Sequence, residues 1–330
     1  MRKILFLLLL VPMLGISQVL TIGGEVLKHS NYVLRKNYIY IEGNAWVIKA
    51  PNLVPYQYQT SVVVYNNKLY IAAGPIMEYE YGATAKVIVA TSPVVIAELC
   101  VYNNKLYATG SGRLFIWDKL NITVIEVAPQ LGAETNIRSL CVYNGKLYGG
   151  TSPNGKLYEW NGTNAWIEKA PKLGAETAIY SLCVYNGKLY GGTSPNGKLY
   201  EWNGTNAWIE VAPQLGAETR IYSLCVYNEK LYGGTYPNGK LYEWNGTNAW
   251  IEVAPKLGAE TNILSLCIYN GKLYGGTGGG RLYEWNGVNA WVQKAKGIGG
   301  SMEVCVFNNK IYGIEYTYGR VVEWNAILKP

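Results

Sequence analysis

The chain has 330 residues and a formal net charge of +7, with 49% hydrophobic and only 15% charged residues. That balance excludes an intrinsically disordered chain, and 38 glycines beside 29 tyrosines and 11 tryptophans point to short strands and tight turns. Acidic residues number 22, yet Asp118 is the single aspartate and His29 the single histidine, so chemistry built on His/Asp clusters has little to draw on.

The N-terminus comes first. Arg2 and Lys3 precede an apolar run from Ile4 to Leu14, and Gly15-Ile16-Ser17 sets small residues three and one positions before a cut ahead of Gln18. Residues 1–17 therefore read as a secretory signal peptide, since the run is shorter than the roughly 20 residues of a membrane-spanning helix. The expected location is secreted or extracytoplasmic, with no stable membrane insertion after cleavage. Residues 18–44 form a lead-in containing a third-strand-like stretch, Tyr38–Glu42.

From residue 45 onward a repeat of about 42 residues governs the sequence. Residues 139–180 recur at 181–222 with three differences, and 223–264 differs from the second copy at five positions. Each unit resolves into four apolar segments, in the first copy Ser139–Tyr143, Lys146–Gly150, Lys156–Trp160 and Ala165–Lys169. Asn144-Gly145 signals a two-residue type I′ hairpin, because both residues tolerate positive φ. Ser152–Gly155 and Asn161–Asn164 make the next turns, and Pro171–Thr177 links to the following unit.

Four antiparallel strands per unit in tandem predict an all-β protein, a β-propeller of four-stranded blades spanning residues 45–330. A blade cannot bury both of its faces alone, so its neighbours must cover them. Cysteine-aligned registers at Val63, Cys100, Cys141, Cys183, Cys225, Cys267 and Cys305 give seven blades. The last unit lacks its fourth segment, and Ala45–Pro51 matches that segment without a blade before it, so the N-terminal strand is expected to close the ring. An eighth blade would require Gln18–Gly43 to build more than a lead-in. The cysteines fall one repeat apart, too far for disulfide geometry, and read as small buried apolar residues.

The pattern Val142-x-Asn144-Gly145-Lys146-Leu147-Tyr148-Gly149-Gly150, followed by Tyr158, Trp166 and Ala170-Pro171, resembles the kelch-type propellers, including the central domain of galactose oxidase. That resemblance implies a glycine pair ending the second strand, with the spaced tyrosine and tryptophan packed between blades. Here the pair follows Tyr148 directly and the unit is shorter, a departure from the family pattern. WD-type propellers share the unit length, but Trp117-Asp118 is the single Trp-Asp pair.

Catalytic and cofactor chemistry is poorly supplied. A copper site like that of the resembled oxidase needs histidines, a Ser/His/Asp triad would depend on His29, and the cysteines lack zinc-type pairing. No cofactor or metal is expected. Lysines recur at fixed positions such as Lys146, Lys156, Lys188 and Lys230 instead of clustering, which argues against a nucleic-acid partner and suggests that they solvate turns and strand edges. Tyr143, Tyr148, Tyr158, Trp160 and Trp166 recur so regularly that packing between blades explains them better than sugar stacking.

Differences among the near-identical copies are the better functional signal. Four of the six variable columns, those of Ser152, Lys172, Ala178 and Tyr180, fall in the turn between second and third strands or in the link between blades. Both connections open on one face of a propeller. Drift in exposed loops explains such variation, and so does a reading surface whose chemistry changes from blade to blade. On the second account the candidate ligand-binding residues are Asn136 and Arg138, then Tyr180, Arg220 and Tyr222, then Asn262, joined by Ser152, Ser194 and Tyr236. An unvarying acid stands beside them in each link, Glu134, Glu176, Glu218 and Glu260, either as a ligand contact or as an acceptor for backbone N–H groups of its own link.

These features favour a secreted, non-catalytic recognition module, a monomeric ring that binds a glycan or a surface protein. Two alternatives stand beside it: a lyase or epimerase acting on an acidic sugar at the central channel, and a structural or adhesive unit of a virion or cell surface.

Overall fold

A computed structural model of the chain describes the backbone of four short strands, Leu20–Ile22, Glu25–Leu27, Tyr32–Arg35 and Tyr38–Ile41, and then residues 45–50, 61–83, 87–317 and 319–325. The expected signal peptide at 1–17, His29 and the tail Ala326–Pro330 lie outside the described residues.

Seven four-stranded antiparallel sheets follow one another along the chain, each in meander order. Blade 1 begins at Val62, blade 2 at Glu98, blade 3 at Asn136, blade 4 at Ala178, blade 5 at Arg220, blade 6 at Ile263 and blade 7 at Met302. Blade 7 takes its fourth strand from the other end of the chain: Ala45–Ala50 pairs antiparallel with Arg320–Asn325, setting Trp46 opposite Trp324. The ring thus closes as the sequence predicts. The strands between residues 20 and 41 pair only among themselves, as two two-stranded ribbons, so there is no eighth blade among the described residues.

Each first hairpin turns as its residues dictate. Asn144 and Gly145 sit at φ 47° and 72°, both positive as a type I′ turn requires. In blade 5 the second turn position is Glu229, held at φ 61°.

Aromatic side chains join one blade to the next. Trp202 of blade 4 lies 5.9 Å from the Tyr143 ring and 5.2 Å from the Tyr148 ring of blade 3, the tilted and edge-on geometries that aromatic quadrupoles favour. Trp244, Trp285 and Trp324 repeat this against the tyrosine pairs of blades 4, 5 and 6. The Tyr143 hydroxyl also donates to the Gly187 carbonyl in the hairpin of the following blade at 3.0 Å. Close approach explains the glycine pair: a Cβ on Gly150 would stand 2.7 Å from Ile179 Cγ2 of the neighbouring blade, and one on Gly149 would meet Ile137 at 3.0 Å. The pair does not end the second strand, as the resemblance implies, but lies inside it, since that strand runs from Lys146 to Ser152.

The lysines do more than solvate turns. Glu159 accepts from Lys146 Nζ at 2.8 Å and from the Tyr148 hydroxyl at 2.7 Å. Burial raises the Glu159 pKa, but these two donors together with the charges of Lys169 and Lys146 outweigh it and hold the carboxyl below its ordinary value. The same Lys–Glu–Tyr set recurs in blades 1, 4, 5, 6 and 7. In blade 2 the carboxylate position is Ile116, opposite Tyr107. All six cysteines are free, and burial pushes the Cys141 thiol up to about 11, which leaves it a poor nucleophile.

A strained turn gives a direct check on this framework. Blades 3, 4 and 6 carry glycine where blade 5 carries Glu229. Glu229→Gly is expected to stabilise the fold by about 1 kcal/mol, the cost of left-handed backbone in a residue bearing a Cβ, read as a higher denaturation midpoint.

Candidate ligand-binding site at the channel mouth

The innermost strands begin earlier than the sequence suggests. In blade 3 the strand runs from Asn136 to Tyr143, so Asn136 and Arg138, expected in the link, belong to the sheet edge that borders the central channel. The corresponding residues of blades 4 and 5 do so too, from Ala178 and from Arg220.

A bulge explains how this edge presents its side chains. Ile137 pairs with Thr151 and Ser139 pairs with Gly150, which makes Arg138 the extra residue of a β-bulge. Tyr180, Tyr222 and Leu264 occupy the same bulge position in blades 4, 5 and 6. Bulges re-aim side chains, and here Arg138, Tyr180, Tyr222 and Leu264 all line one axial cavity of about 290 Å³. Asn136 lines it as well.

Five of the candidate residues meet at this end of the channel. The Arg220 guanidinium lies over three tyrosine rings, 5.0 Å from the Tyr236 centroid, 5.4 Å from Tyr180 and 5.7 Å from Tyr222. It donates from Nη1 to the Tyr222 hydroxyl at 2.7 Å. The Arg138 guanidinium also lies over the Tyr180 ring, 5.6 Å from its centroid. The Tyr180 and Tyr222 rings meet edge-on at 5.3 Å. Arg220 and Tyr236 are direct cross-strand partners, as are Asn136 and Ser152 in blade 3 and Ala178 and Ser194 in blade 4. Two of the columns in which the copies differ, those of Ser152 and Ala178, are therefore cross-strand neighbours, and in blade 5 they hold a tyrosine and an arginine where blade 4 holds a buried serine and a buried alanine.

Other candidates serve the framework. Glu134, Glu176, Glu218 and Glu260 are all buried. Glu218 accepts from Asn238 Nδ2 at 2.8 Å and from the Asn238 backbone N–H at 3.2 Å, and Glu134 and Glu176 hold Asn154 and Asn196 in the same way. Each link is thereby tied to the second turn of the blade that follows it, not to its own backbone. Glu260 accepts from Gly279 N–H and from Arg281. Asn262 accepts from Gly278 N–H, and Ser152 supplies its carbonyl to Thr135 N–H.

The channel also holds two carboxyls that the repeat reading does not single out, Glu98 and Glu303. Both stand two residues before the cysteine, where blades 3 to 6 have Ser139, Ser181, Ser223 and Ser265 and blade 1 has Ser61. Those serines bridge blades, Ser139 donating to the Ile179 carbonyl at 3.3 Å. Glu98 accepts from Ser61 at 3.1 Å, and Glu303 accepts from the Tyr316 hydroxyl at 3.2 Å. Burial pushes Glu98 up to about 8, the Ser61 hydroxyl offsetting part of the rise. Burial and then the neighbouring Glu98 push Glu303 well above the usual carboxylate range. Extending the cysteine alignment to the diverged blades would have exposed both acids. Among the described residues, no group of three or more His, Cys, Asp or Glu side chains forms a metal cluster.

The sequence matches no protein-family model and no curated protein. Solved structures are similar in fold. A catalytically inactive virginiamycin B lyase from Staphylococcus aureus, crystallised with quinupristin, is 11% identical with a TM-score of 0.69, over 84% of this chain and 98% of that one. The WD40 propeller domain of Doa1 is 13% identical with a TM-score of 0.67, over 85% and 97%. YCF48 from Cyanidioschyzon merolae is 12% identical with a TM-score of 0.64, over 85% and 98%. At these identities the likeness shows a β-propeller and nothing finer, and it does not single out the kelch type.

Two measurements check the roles of the acids. Between the ordinary glutamate value near 4.3 and about 8, the folded chain keeps a proton on Glu98 that the unfolded chain has released, so this residue makes stability fall as pH rises through that window. Glu98→Gln, which mimics the protonated form, is expected to melt like the parent at pH 4 and above it at pH 9. Glu218→Ala should lower stability by about 1–3 kcal/mol in denaturant titration, because both Asn238 donors lose a buried acceptor.

Proposed function

We propose that this chain is a secreted recognition module that takes a glycan or a surface protein on the face where the links and second turns open. The observation that carries this reading is the Arg–Tyr group at the channel mouth, formed at the columns in which otherwise copied blades differ. Aromatic rings with a guanidinium suit polar ligands that present both flat faces and hydroxyls. The lysines support a partner other than nucleic acid, since those of the blade template are engaged by glutamates, as in Lys146–Glu159 and Lys156–Glu168. The export signal read at residues 1–17 supports an extracytoplasmic location. A kelch-type placement rests on the Asn-Gly turn, the glycine pair and the spaced Tyr and Trp of each repeat.

A second reading, a lyase or epimerase acting on an acidic sugar, draws on Glu98 and Glu303. Two carboxyls of raised pKa in one cavity with Arg138 and Tyr316 are suitable acid–base groups. Turnover of an acidic sugar that is lost in Glu98→Gln would favour it over binding alone.

Replacing Arg220 and Tyr222 together with alanine is expected to reduce capture on a glycan or cell-surface array at least tenfold, while the melting temperature stays within about 2 °C of the parent. Unchanged capture would move the binding surface away from this face.

A further inference from the structure

We infer that Arg220 is the receptor for a single oxyanion, the carboxylate or sulfate of an acidic glycan, held once per ring at the channel mouth. This rests on the recognition reading above and names the chemistry of its ligand.

The charge state of Arg220 is the starting point. Guanidinium groups stay protonated in proteins, and the other arginines that lie against acids here are neutralised: Arg113 by Glu126, Arg281 by Glu260 and Arg320 by Glu315. Among the described residues Arg220 makes no ion pair. The glutamate of its own link, Glu218, has both carboxylate oxygens committed to Asn238. Arg220 is half-buried, and its surroundings are the Tyr180, Tyr222 and Tyr236 rings, which hold a cation in place without cancelling its charge. An oxyanion would supply the missing charge and the charge-assisted hydrogen bonds that the planar fork is shaped to give.

Tyr222 adds a second donor. Its hydroxyl oxygen accepts from Arg220 Nη1 at 2.7 Å, so its own proton points elsewhere and is polarised by the guanidinium. A guanidinium and a phenolic O–H side by side fit two oxygens of one carboxylate or sulfate. The Tyr180, Tyr222 and Tyr236 rings meet edge-on beside them, aromatic surface of the kind that suits the sugar carrying the oxyanion.

Among the described residues this arrangement occurs once. At the Arg220 column the adjacent copies have Ala178 and Asn262, and at the Tyr236 column Ser194 and Gly278. Ala178 is buried and Asn262 is bound to Gly278, so neither offers a second cationic cradle.

Titration calorimetry of the mature chain with an oligogalacturonate, its methyl-esterified form and a sulfated oligosaccharide tests this, with Arg220→Gln and Arg220→Lys as variants and a melting curve for each. The expected result is one site per chain for at least one of the two acidic probes and at least tenfold weaker binding of the neutral ester. Arg220→Gln should weaken the acid at least tenfold without changing the ester, and Arg220→Lys should restore part of the loss. Equal affinity for acid and ester, or an acid affinity indifferent to Arg220→Gln, would overturn the oxyanion receptor while leaving recognition intact. If a neutral glycan or a protein is captured and neither acidic probe binds, the receptor is also overturned; if nothing is captured on any array, both readings fall together. Should Arg220→Gln melt early, the acid–ester comparison on the parent chain decides alone.

Discussion

The contact on which this architecture depends is the seating of an aromatic side chain on the aromatic residues of the blade before it, a tryptophan on a tyrosine pair in blades 4 to 7 and Tyr79 on Tyr312 where blade 1 meets blade 7, with a glycine pair letting the sheets approach in blades 3 to 6. Trp202 on Tyr143 and Tyr148, repeated by Trp244, Trp285 and Trp324, buries large aromatic surfaces that no isolated blade could cover. Such a stack has two exposed ends unless it closes. Closure comes from Ala45–Ala50, which completes blade 7 and places Trp46 opposite Trp324. A change that loosens one seat is therefore transmitted to two blades.

This dependence separates the positions that must be copied from those that are free to differ. Tyrosine, glycine pair, tryptophan, the Lys–Glu–Tyr set and the link glutamate each contact a partner supplied by the same template, so altering one strands another. The bulge residue of the inner strand is an insertion in the ladder, and the strand's first residue pairs with the end of the second strand at columns in which the copies differ. Arg138, Tyr180, Tyr222 and the Arg220–Tyr236 pair arise at these places. Chemistry at the channel mouth can thus change without cost to the ring.

Much of this was legible in the sequence. Repeat length, blade number, the positive-φ turns and the closing strand all follow from local residues and their spacing. The start of the inner strand was not legible, because the bulge at Arg138 breaks the alternation that marks a strand and makes Asn136–Arg138 read as link. Register explains a second gap: that Lys146 and Tyr148 both reach Glu159 follows only once the second and third strands are paired. Glu98 and Glu303 were hidden by divergence, standing where the copied blades carry a serine. The link glutamates stand out in the sequence without showing whether they serve ligand or framework, because the asparagine that occupies each of Glu134, Glu176 and Glu218 comes from a turn 20 residues further on.

The central claim is that the channel-mouth residues of blade 5 are independent of the framework that carries them. Hydrogen exchange on a chain carrying Arg220→Asn and Tyr222→Leu, the residues that blade 6 has at these columns, measures this directly. Unchanged protection of the second and third strands of blades 4, 5 and 6 is predicted, with any faster exchange confined to the first residues of the inner strand. Loss of protection spreading through those three blades would contradict the account, since the Arg–Tyr group would then be part of what holds the ring together.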